Sequence, residues 1–133
     1  MPNALGKAND DMGLGDAVIV SAPRTLYVSG QVSVNEDLEI VGTTLPEQMR
    51  QAYKNVAAVL DQAGARFQDV VQMQMFIDKT AAVKGADFFK IIEDCNREFN
   101  PEGRPACTGV FVDSLAIDGL LIEVQVIAAM PAA

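Results

Sequence analysis

The sequence predicts an α+β fold, a β-β-α-β-α-β-β sheet with two helices packed on one face. Three observations carry this expectation. The chain has 133 residues, within the ~100–200 usual for one domain, so a single domain over 1–133 is expected. Its 50% hydrophobic content is enough for one core. Stretches in which apolar residues alternate at period two are interleaved with two stretches in which they recur every three to four positions.

The elements follow in order. Met1 to Gly15 is polar and Gly-rich, and is expected to be a flexible or extended lead-in. "AVIVSAP" and "TLYVSGQVSV" are β-branched and aromatic, interrupted at Pro23–Arg24 and closed by Asn35 to Asp37, which predicts an antiparallel meander. "TLPE" from Thr44 to Glu47 fits a capping box with proline in the first turn. The helix it opens carries apolar residues at Met49, Ala52, Val56, Val59, Leu60 and Ala63, and Gly64 is its stop. "FQDVVQMQMFI" alternates as a half-buried strand should, with Met73 and Met75 as core and Gln72 and Gln74 on the other side. In "FFKIIEDCNREF" the residues Phe88, Ile91, Ile92, Cys95 and Phe99 form one stripe, a second helix facing the sheet. Two late strands, "ACTGVFV" and "LLIEVQVIA", are joined through Asp113 to Gly119. With both helices on one face, the other face mixes apolar and polar residues, which suits self-association around a pocket.

Composition narrows the function. A net charge of −8, ten Lys plus Arg and no histidine offer no footprint for nucleic acid or an anionic membrane surface. No apolar run reaches the ~18–20 residues of a membrane span, and the N-terminal residues lack a hydrophobic signal core, so a cytoplasmic location is expected. Cys95 and Cys107 are expected to be free thiols, and two cysteines without histidine cannot complete a tetrahedral metal site. No metal and no cofactor are expected.

Five pieces together, "YVSGQ" at Tyr27 to Gln31, "QMRQAYKNVAAVLDQAGA", "FQDVVQMQMFI", "RPA" at Arg104 to Ala106 and "IEVQVIA", resemble the RidA family, also called YjgF or UK114. The resemblance runs from about Val18 to Ala128. It implies a chorismate-mutase-like fold assembled as a homotrimer, with a small-molecule metabolite bound in clefts between subunits. It also implies hydrolysis of enamines and imines to ketones and ammonia. The family's older endoribonuclease label fits poorly with an acidic chain that has no histidine.

Carried over residue by residue, the match is uneven. The family's acidic residue on the last strand, which holds the attacking water, falls on Glu123. Ser29 and Gly30 keep the turn that offers polar contacts to the ligand, and Thr108 follows in the late strand. The family's early tyrosine falls on Asp16 and its helical asparagine on Ile92. The arginine that clamps a substrate carboxylate is replaced by Cys107. Losing that charge-assisted pair removes roughly 1.5–3 kcal/mol, so the usual 2-imino acids are not the expected substrates. Arg104, three places earlier, is the residue that could replace the clamp.

Cys107 and Glu123 both carry odd numbers, so pairing of the two late strands with an even register sum puts thiol and carboxylate side by side. A carboxylate there raises the thiol pKa and leaves Glu123 as a general base or proton shuttle. Three functions remain open at this point. The first is a Rid-like hydrolase or deaminase around Glu123. The second is a hydrolase with Cys107 as nucleophile, and the third a non-catalytic metabolite-binding trimer. Against the second stands the packing habit of free cysteine, which is usually a small buried hydrophobe.

Overall fold

The computed structural model describes residues 3–133; Met1 and Pro2, the start of the expected lead-in, lie outside the described residues. Seven main elements follow one another: α1 (Gly6–Met12), β1 (Arg24–Val32), α2 (Leu45–Gln62), β2 (Val70–Asp78), α3 (Ala86–Phe99), β3 (Ala106–Val112) and β4 (Ile122–Met130). They form a mixed α+β structure with one four-stranded sheet in the order β1-β4-β2-β3. The crossover through α3 supplies the long connection that parallel pairing of β2 and β3 needs, and β4 then returns antiparallel between β1 and β2.

Two expectations fail at the N-terminal end. The lead-in contains α1, which seats Met12 and Leu14 in the core and stops at Gly13 with φ +77°. The stretch expected as a first strand, Ala17 to Pro23, has no strand pairing, and Ile19 is 97% exposed. Its β-branched residues fit a pleated surface only where a neighbour covers them, and within one chain β1 offers none on that side.

The predicted helices form for the predicted reasons. Thr44 Oγ1 accepts from the Glu47 backbone N–H and donates to Glu47 Oε1 at 2.8 Å, with Pro46 in the first turn, and Gly64 follows the helix end at φ +79°. Met49, Ala52, Tyr53, Val56 and Leu60 of α2 are buried against the sheet residues Met73, Met75, Ile77, Ile122, Val124 and Val126. From α3 come Phe88, Ile92 and Cys95, together with one buried polar residue, Asn96. Asn96 Oδ1 accepts from Tyr53 Oη and its Nδ2 donates to Met12 O, both at 2.8 Å, which ties α1, α2 and α3 together.

A second buried amide fixes where β4 begins. Gln48 Nε2 donates to Gly42 O and Gly119 O, and its Oε1 accepts from Leu121 N at 2.8 Å. Every polar atom of that side chain is thereby engaged, so the register of the strand carrying Glu123 is anchored from α2. Among the described residues no helix is long and apolar enough to cross a membrane.

Candidate functional site

Along β4, Ile122, Val124, Val126 and Ala128 face the helices and are essentially without exposure. Glu123, Gln125 and Ile127 therefore face the other way, onto the open side of the sheet. Glu123 stands opposite Phe76 on β2 and Val32 on β1. The β1–β4 ladder is irregular between Val28 and Gln31, and this bulge lays Ser29 and Gly30 over the start of β4. A Cβ at Gly30 would stand 2.6 Å from Cδ and Oε2 of Glu123. Only glycine lets the carboxylate lie on the strand backbone, so Gly30 and Glu123 form one feature. Among the described residues Glu123 is in no ion pair.

Cys107 lies elsewhere. It pairs with Met73 in the parallel β2–β3 ladder, while Met73 pairs with Val126 across β2–β4, so all three face the helices. The thiol packs against the core, and burial alone pushes its pKa up to about 12, against an ordinary 9.0. The expected juxtaposition with Glu123 does not occur within the chain, because β2 separates β3 from β4. The β2–β3 pairs join odd residues to odd, whereas the regular β2–β4 pairs join odd to even, and this sends two odd-numbered residues to opposite faces. Within the chain the thiol is thus held in its protonated form, and its surroundings there lend no support to a nucleophilic role. Cys95, also buried, has its thiol pushed up to about 12, mainly by burial.

The remaining candidates divide between the two sides. Thr108 pairs with Gln74 and shares the open face with Glu123, two strands away. Arg104 lies in the loop just before β3. Its Nη1 donates to Gly103 O at 2.8 Å and opens onto a cavity of about 240 Å³ that α1 and α3 also line. Asp16 accepts from Asn9 Nδ2 at 2.6 Å, and Ile92 is buried in the core, unable to meet a ligand. Sequence reasoning missed Asn96 and Asn100. Both are polar residues on or next to the α3 stripe, and that interruption was the available signal.

The endoribonuclease L-PSP family model matches residues 16–130. A RutC family protein of Saccharolobus solfataricus is 32% identical over 128 residues, covering 96% of this chain and 90% of the relative. The 2-iminobutanoate/2-iminopropanoate deaminase of Dermatophagoides farinae is 32% identical over 97 residues, 72% of this chain and 71% of that one. Among solved structures, the Rid-family protein YyfB of Yersinia pestis superposes with a TM-score of 0.83 at 29% identity, covering 92% of this chain and 90% of the other.

The chain belongs to the RidA/YjgF family.

The fold is thus the Rid fold, and the matched span holds Ser29, Gly30, Arg104, Cys107, Thr108 and Glu123. Helix α1, at Gly6–Met12, lies before it.

Proposed function

We propose that this Rid-family member is a deaminase-type hydrolase, acting on a small enamine, imine or related amide-like metabolite in a cleft between subunits of a homotrimer. Glu123 is the proton-handling residue. The observation that carries this reading is the carboxylate resting on the Gly30 bulge of an open sheet face, with no cation holding it. Such a group is free to take a proton from water as the oxygen attacks an imine carbon. The C=N π pair moves to nitrogen, which collects a proton. Collapse of the resulting carbinolamine breaks the C–N bond and releases ammonia and a ketone. An enamine enters the same path after a proton is added at its β-carbon.

Two further observations support parts of the proposal. The open face carries Tyr27, Phe76, Val110 and Ile127 beside Gln72, Gln74 and Gln125, a mixed surface that a neighbouring subunit would cover. Among the described residues no arginine forms an ion pair with Glu123, and Arg104 lines a cavity that Glu123 does not, which supports a substrate without the usual α-carboxylate clamp. The deaminase activity named for the mite relative is consistent with this reaction class.

The test is ammonia release from freshly generated 2-aminoacrylate and from enamines without a carboxylate. Faster turnover of the latter is expected, with Glu123→Gln lowering it roughly 10²- to 10⁴-fold. Unchanged turnover in Glu123→Gln would refute the assignment.

A further inference from the structure

We infer that Asn55, on α2, is a positioning residue for the proposed reaction: it holds the end of β1 in place and so keeps the Gly30 bulge seated on the Glu123 carboxylate. The inference rests on the reading of Glu123 as the proton-handling group. Asn55 Nδ2 donates to two backbone carbonyls, Val32 O at 2.8 Å and Val34 O at 3.0 Å, and its Oδ1 accepts from Gln51 Nε2 at 3.0 Å. Both ends of the amide are thereby engaged. Val32 is the last residue of β1, two places after Gly30, and it stands opposite Glu123 in the β1–β4 ladder.

This strand end needs a hold. β1 is an edge strand, and beyond its bulge only the pairs Gln31–Val124 and Val32–Glu123 tie it to β4. The chain then leaves the sheet at once, with the Val34 N–H turned back onto Val32 O at 2.9 Å. A strand end with so few pairs frays easily, and the two carbonyls that Asn55 grips flank the exit. The same helix fixes the other strand. Gln48, seven residues earlier and so on the same stripe of α2, donates to Gly119 O and accepts from Leu121 N, two residues ahead of Glu123. Helix α2 thus grips β4 just before the carboxylate and β1 just opposite it. The tolerance between them is small, because a Cβ at Gly30 would already stand 2.6 Å from Glu123 Oε2. Misplacing a reacting group by about 1 Å can cost ~10²-fold in rate.

The experiment is a double-mutant cycle: kcat and KM for ammonia release from a carboxylate-free enamine, measured in the unmutated chain, Asn55→Ala, Glu123→Gln and the double variant, below every variant's unfolding midpoint. Asn55→Ala is expected to lower kcat roughly tenfold or more with KM within about threefold, and to have no further effect once Glu123 is Gln. A role confined to folding would lower the unfolding midpoint and leave kcat unaltered, or lower kcat by the same factor in both backgrounds. Either result, with Glu123→Gln impaired, overturns the inference alone. No ammonia release from the unmutated chain, or turnover unchanged in Glu123→Gln, overturns the reading of Glu123 and the inference with it. Should Asn55→Ala fail to fold, Gln51→Leu, which removes only the donor to Asn55 Oδ1, goes through the same cycle. A several-fold loss of kcat confined to the Glu123 background is then expected, and an unaltered kcat overturns the inference.

Discussion

The two faces of the sheet are built from alternate residues of the same strands, and they have opposite character. On the helix face Met73, Met75, Ile77, Ile122, Val124 and Val126 are buried without a polar group among them. On the other face their immediate neighbours Gln72, Gln74, Glu123 and Gln125 stand among Phe76, Val110 and Ile127. The first face holds the fold together, and the second is where a carboxylate without a partner is tolerated. Cys107 and Glu123, equally odd in sequence context, take on the character of the face each joins: a thiol kept protonated by burial and a carboxylate lying over a glycine.

Substitutions in adjacent residues sharpen this contrast most. Met75→Ala opens a void in the helix-covered face and should lower unfolding free energy by about 2–5 kcal/mol, whereas Gln74→Ala, one residue away, should stay within ~0.5 kcal/mol. Chemical denaturation of the two variants compares the faces directly, and similar losses would break the distinction. A smaller effect is expected at the bulge. Gly30→Ala forces the Glu123 carboxylate off the strand and should reduce ammonia release by up to ~10²-fold, with stability within ~1 kcal/mol of the unmutated chain. Full activity in that variant would mean the carboxylate's resting place is irrelevant.

The smallest effect is the pH dependence of the buried thiols. Their folded pKa of about 12 exceeds the ordinary 9.0, so the folded state keeps protons that the unfolded chain has released. Stability from this source is complete below about pH 9 and is lost as pH rises toward 12. Denaturation from pH 9 to roughly pH 10.5 should therefore weaken the unmutated chain by up to ~2 kcal/mol more than Cys107→Ala. Equal slopes would show that the thiol is not buried in the folded protein.

Local chemistry was legible in the sequence wherever one element's own residues decide it. The Thr44–Glu47 cap, the Gly64 stop and the alternation through Met73 and Met75 needed no knowledge of neighbours. The family resemblance likewise singled out Gly30 and Glu123, which the fold brings into contact. What could not be read was anything set by the order of strands. The face of Cys107 depends on β2 lying between β3 and β4, and numbering parity carries no information until that order is known. The stretch from Ala17 to Pro23 has strand-forming residues without a strand partner, so propensity alone misled. Polar "GKANDDM" hid a helix because its stability comes from packing on α3 through Met12 and from Asn96 gripping the Met12 carbonyl.

The central claim is that the chemistry belongs to the open face and not to the thiol. It is tested most directly by measuring kcat/KM for ammonia release in Glu123→Gln and Cys107→Ala side by side, on the same enamine substrate. The account predicts a loss of roughly 10²-fold or more in Glu123→Gln, with Cys107→Ala retaining activity within about a factor of ten. The reverse pattern, in which Cys107→Ala is inactive and Glu123→Gln is not, would contradict it.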